Sequence, residues 1–103
     1  MNKLNYSPEA LLDLDEIWAY ISEELKNPTA AQNTISNILD SIEKLREFSE
    51  IGPLLSSVTG IESDYRFLVC GNYLIFYRAG NTDINIDRIM YGRRNYLRIL
   101  FGN

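Results

Sequence analysis

The spacing of apolar residues changes once along this chain, from helical to strand-like. After a short opening run at residues 2–6, with Leu4 and Tyr6 on one side, Ser7-Pro8 marks a helix start. The serine hydroxyl suits the N-cap, and proline at the first helical position gives up an N–H that would have no partner there. Leu11, Leu14, Trp18, Ile21 and Leu25 then recur every three or four residues, with Ile17 beside them. That is the stripe of an amphipathic helix ending near Lys26, with Trp18 expected in the core. Asp13, Asp15, Glu16, Glu23 and Glu24 are expected on its solvent side. Asn27-Pro28 repeats the cap-then-proline signal. Ala31, Ile35, Ile38, Ile42 and Leu45 predict a second helix to about Phe48. So short a junction makes the two helices an antiparallel hairpin.

Ile51-Gly52-Pro53 ends the second helix, and residues 54–63 are expected to form an irregular polar connection. Three strand-like runs follow. Residues 65–69 and 73–78 are separated by the turn signal Gly71-Asn72, and a third run to Tyr91 begins after Gly80-Asn81. In the third run Ile84 and Ile86 alternate, and Ile89 falls out of step. Tyr96, Leu97, Leu100 and Phe101 predict a short C-terminal helical turn. The order β-α-α-β-β-β predicts an α+β fold, with the opening strand and a helical hairpin packed on an antiparallel sheet. At 103 residues the chain is expected to form one domain spanning 1–103.

Charge adds what the apolar pattern does not. The chain is acidic overall, with net charge −4, but residues 1–64 carry −8 and residues 65–103 carry +4. The later part holds Arg66, Arg78, Arg88, Arg93, Arg94 and Arg98, which predicts a cationic face for an anionic partner. The chain has no histidine, so the commonest general base and metal ligand is missing. No metal or cofactor is expected. The single cysteine, Cys70, suits a reducing cytoplasm and reads as a small core or half-buried residue. No apolar run is long enough for a membrane span, and no signal-peptide pattern opens the chain.

Several stretches together resemble the RelE/ParE superfamily of toxins from bacterial type II toxin–antitoxin systems. They are Tyr6-Ser7-Pro8-Glu9-Ala10, Asp15-Glu16-Ile17-Trp18, Glu50-Ile51-Gly52, Tyr65-Arg66, the run Gly71 to Arg78 (GNYLIFYR), and Arg88 to Asn95 with its Gly92-Arg93-Arg94. The resemblance covers nearly the whole chain and is more ParE-like. It implies a cytoplasmic growth-arrest toxin of an addiction or plasmid-stabilisation module. It also implies neutralisation in a hetero-oligomer by an antitoxin with an acidic C-terminal segment, which alone contacts DNA.

Two mechanisms occur in that superfamily. ParE-type toxins poison DNA gyrase, and RelE-type toxins cut mRNA on the ribosome. In the nuclease reading Arg66 and Arg94 would hold the phosphate and Tyr91 would act as acid. The segment before the sheet has no lysine and Glu62 as its only carboxylate, and a tyrosine of ordinary pKa is a poor base at neutral pH. The acidic average charge also opposes ribosome binding. The gyrase reading is therefore preferred, with Arg66, Arg78, Arg93, Arg94 and Arg98 as candidate target- or antitoxin-binding residues. A plainer reading pairs Arg66 and Arg78 with Glu62, Asp64 or Asp83, and leaves Arg98 to favour the last helical turn.

Overall fold

The computed structural model describes residues 1–102. Its elements are β1 (Lys3–Tyr6), α1 (Pro8–Ala19), α2 (Pro28–Glu43), α3 (Ser56–Thr59), β2 (Arg66–Cys70), β3 (Tyr73–Ala79), β4 (Asp83–Tyr91) and α4 (Tyr96–Phe101). A π-helical turn, Tyr20–Glu24, continues α1, and a 3-10 turn, Lys44–Arg46, continues α2. The α+β order is therefore the expected one. The four strands lie in the order β1-β4-β3-β2. The meander β2-β3-β4 is antiparallel, but β1 joins β4 in parallel, so the sheet is mixed. Parallel pairing requires a crossover, and the helical hairpin is part of it. The connection expected to be irregular contains α3, a single helical turn.

Both predicted caps form. Ser7 Oγ accepts from Ala10 N at 2.9 Å and donates to the Asp87 carbonyl at 2.7 Å, so one hydroxyl starts α1 and fastens it to β4. Asn27 Oδ1 accepts from Ala30 N at 3.0 Å.

The sheet separates two apolar clusters. The larger, on the helical side, joins Ala10, Ile17, Ile21, Ile38, Ile42 and Leu45 to Ile75, Tyr77, Ile84, Ile86 and Ile89. The smaller lies on the other side, where Leu55, Phe76 and Met90 are covered by Tyr96, Ile99, Leu100 and Phe101. The odd step of Ile89 has a cause. Phe76 pairs with Arg88 while Tyr77 pairs with Ile86, so Asp87 is an extra residue in β4, a β-bulge. The insertion returns Ile89 to the face of Ile84 and Ile86.

The α1 stripe is turned by one residue from the expected one. Ala10, Asp13, Ile17 and Ile21 are buried, whereas Leu11, Trp18 and Leu25 are exposed, Trp18 by 42%. The reason is Asp13, expected on the solvent side but only 4% exposed. Its Oδ2 accepts from Ile89 N at 2.8 Å and from Arg88 Nε at 2.8 Å, and its Oδ1 accepts from Arg88 Nη2 at 2.9 Å. The hydrogen bond to Asp13 is the main reason the Arg88 guanidinium is held above its usual pKa. Once β1 ends, a carboxylate from α1 takes over the bonding of the β4 edge.

A second buried contact fixes the crossing from α2 to the sheet. The Tyr77 hydroxyl donates to the Ser49 carbonyl at 2.9 Å and accepts from Gly52 N at 3.0 Å. A Cβ on Gly52 would lie 2.3 Å from the Phe67 carbonyl oxygen, so only glycine fits there. The chain then runs along the edge of β2, with Phe67 N donating to Pro53 O and Leu55 N to Tyr65 O.

Two outcomes test these contacts. Asp13→Ala strips Arg88 of its partner and leaves the Ile89 amide unbonded. It should cost about 3 kcal/mol, the scale for breaking a buried ion pair, read as a lower urea midpoint at unchanged slope. Tyr77→Phe should cost about 2 kcal/mol by orphaning the buried Gly52 N–H and the half-buried Ser49 carbonyl. Burial raises the Tyr77 phenol above its ordinary value of 10.0. As pH climbs past that value the unfolded chain loses its proton first, so stability falls. Denaturation at several alkaline pH values should show a shallower loss for Tyr77→Phe than for the wild type.

Candidate functional site

The six late arginines divide into two groups. Arg66, Arg78 and Arg88 are engaged within the fold. Arg66 Nη1 donates to the Gly52 carbonyl at 2.8 Å, and its Nη2 lies 3.9 Å from Glu50. It therefore acts on the same crossing as Tyr77. Arg78 Nε donates to Asp87 Oδ2 at 2.8 Å, and its guanidinium lies 5.6 Å from the centre of the Tyr65 ring. That hydrogen bond is the main reason Arg78 is held above its usual pKa, and burial with nearby Asp87 raises Tyr65. The acidic partners are thus Glu50, Asp87 and Asp13, not Glu62, Asp64 or Asp83.

Arg93, Arg94 and Arg98 form the other group. All three are exposed, and none has a carboxylate within ion-pairing distance among the described residues. Local geometry presents them. Gly92 N donates to Asn72 O and Arg94 N to Tyr91 O, turning the chain tightly out of β4. Asn95 Oδ1 caps α4 by accepting from Arg98 N at 3.4 Å. The apolar side of α4 is held on the sheet by Tyr96 against Phe76, ring centres 5.2 Å apart, and by Phe101 against Tyr65 at 6.0 Å.

Tyr91 and Arg94 are brought together, and Arg66 is not with them. Tyr91 pairs with Tyr73 and Arg66 with Tyr77, four residues further along β3. That is about 13 Å along the strand, with the apolar floor of Ile75, Leu68 and Ile89 between. The phosphate-binding pair and the acid of a nuclease are thus not assembled at one point. Among the described residues no three His, Cys, Asp or Glu side chains cluster as a metal site requires. No helix among them is long and apolar enough to cross a membrane.

Tyr91 and Arg94 line an open groove of about 800 Å3 that sequence reasoning did not anticipate. Its floor is Ile17, Ile21 and Ile89, and its walls include Tyr20, Tyr73 and Asn72. Tyr73 meets Tyr91 edge to face at 5.9 Å, and burial, with Tyr91 and Tyr20 nearby, raises the Tyr73 phenol, which is a neutral hydrogen-bond donor at pH 7. The π-helical turn forms one wall, and such turns often mark functional sites. The one trace in the sequence is that Asp13 lies in phase with Ala10, Ile17 and Ile21, which turns Tyr20 and Trp18 outward.

This fold and sequence have relatives. The chain matches the model of the ParE toxin of the type II toxin–antitoxin system parDE over residues 4–96. Its fold is similar to a solved structure of a chromosomal ParDE TA system from P. aeruginosa, with a TM-score of 0.73 and 22% identity over 88% of this chain and 96% of that one. Among curated proteins none matches. With the family model spanning nearly every element that builds the sheet and the groove, the chain belongs to the ParE toxin family of type II toxin–antitoxin systems.

Proposed function

We propose that this toxin arrests growth by binding DNA gyrase, and that Arg93, Arg94 and Arg98 form its contact edge. The supporting observation is the division among the arginines. Arg66, Arg78 and Arg88 are held by Gly52, Asp87 and Asp13, while the C-terminal three have no acidic partner among the described residues. Unpaired arginines on a short, tightly turned segment suit charge-assisted contact with an acidic protein surface. The separation of Arg66 from Tyr91 argues against the ribosome-dependent nuclease reading. An antitoxin with an acidic C-terminal segment would meet the same edge, binding as it folds. Toxin and antitoxin would then form a hetero-oligomer in the cytoplasm.

Supercoiling by purified gyrase, titrated with this protein, tests the reading. The expected result is inhibition with trapped cleaved DNA, reversed by the antitoxin. The double variant Arg93→Glu, Arg94→Glu should lose about tenfold or more in potency, equivalent to about 1.4 kcal/mol. Tyr91→Phe should retain toxicity, because the gyrase reading requires no acid there. Unaffected supercoiling by a folded, growth-arresting toxin, with transcripts cut in the arrested cells, would shift the target to the ribosome.

A further inference from the structure

Of the three arginines without a carboxylate partner among the described residues, Arg98 lies on α4, and Arg93 and Arg94 lead into it. α4 has 6 residues, and an isolated helix of that length does not persist in water. Its own ends add little. Asn95 Oδ1 meets Arg98 N at 3.4 Å, and Gly102 N closes the last turn on Arg98 O at 2.9 Å. The helix therefore depends on the sheet beneath it, through a ring contact near each end. Tyr96 lies against Phe76 at the start, and Phe101 meets Tyr65 edge to face at the end, with ring planes at 79°. Toward the start of α1 the packing is open. A cleft of about 400 Å3 is lined by Ile99 and Leu100 of α4 and by Ser7 and Glu9.

Tyr65 is fixed at both backbone and ring. Its carbonyl accepts from Leu55 N at 2.9 Å. The Arg78 guanidinium lies 5.6 Å from the centre of its ring, within cation–π range. Arg78 is itself held, Nε to Asp87 Oδ2 at 2.8 Å, and the Asp87 carbonyl takes the Ser7 hydroxyl at 2.7 Å. A continuous series of contacts thus runs from the start of α1 through β4 and β3 to the end of α4. We propose that Tyr65, held by Arg78, is a positioning residue for the contact edge: its ring seats Phe101 and so sets where α4 presents Arg98. The proposal rests on the reading of Arg93, Arg94 and Arg98 as that edge. Arg78, a contact candidate by charge alone, then acts through the Tyr65 ring and not on the partner.

The full-length toxin is compared with Tyr65→Ala, Tyr65→Phe, Arg98→Ala and the double variant Tyr65→Ala, Arg98→Ala. Potency is read both as inhibition of gyrase supercoiling and as growth arrest on graded induction. The Cα chemical shifts of residues 96–101 report whether α4 is helical. Tyr65→Ala should move those shifts toward coil values, leave those of α1 and α2 in place, and lose about tenfold in potency. Tyr65→Phe keeps the ring and should stay within about twofold of the wild type. The double variant should be within about twofold of Arg98→Ala alone, because a residue that acts through Arg98 has nothing left to position. Losses that multiply would overturn the proposal, since Tyr65 would then touch the target itself or act only on overall stability. Phe101→Ala removes the same contact from the α4 side and should reproduce the loss even if Tyr65→Ala fails to fold. Wild-type potency in Phe101→Ala would also overturn the proposal. Full potency in Arg98→Ala would overturn the edge at Arg98 and the proposal with it. Growth arrest with supercoiling untouched would remove gyrase as the target, and the growth readings of the same variants would still decide the role of Tyr65.

Discussion

A buried carboxylate, Asp13, bonds the helical layer to the sheet where β1 no longer covers it. β1 covers β4 only through Ile86, and α1 has no spare backbone donors or acceptors along its length with which to continue the ladder. Asp13 provides what the helix backbone lacks, accepting the Ile89 amide and both nearer nitrogens of Arg88. A buried carboxylate is costly unless fully bonded, and this one has three donors. The bond also sets the rotation of α1. With Asp13 turned to the sheet, Ile17 and Ile21 follow one and two turns later on the same side, and Trp18 and Tyr20 are left outside.

The bulge at Asp87 makes that arrangement possible. Without the extra residue, Ile89 would face away from Ile84 and Ile86, and its amide would not meet Asp13. The bulged residue is itself engaged at three points. Its carbonyl takes the Ser7 hydroxyl, its carboxylate takes Arg78, and it acts on Tyr65 beside them. The start of α1, the irregularity in β4 and the pairing of Arg78 are one linked structure.

Much of the architecture was legible in the sequence because its signals are local. Ser7-Pro8 and Asn27-Pro28 capped the helices as their chemistry dictates, and the α2 stripe of Ala31, Ile38, Ile42 and Leu45 is buried as its spacing requires. The displaced Ile89 was visible as a break in alternation, though only the pairing identified it as a bulge. What escaped was non-local. A period count treats aspartate as outward-facing, so it rotated the α1 stripe and put Trp18 in the core. Parallel pairing of β1 depends on contacts about 80 residues apart, such as Leu4 with Ile84. The groove arises where a helix, a turn and a strand end converge, and no one stretch of chain encodes it.

The arginines show why residue counts alone do not define a surface. Six cations in the last third suggested one face, yet the fold uses three of them internally. Arg66 holds the Gly52 carbonyl, where a lysine, lacking a planar fork, would fit the same backbone and glutamate pair less well. The C-terminal three follow the turn after Tyr91 and have no carboxylate within ion-pairing distance among the described residues. Arg94 belongs both to that edge and to the wall of the groove.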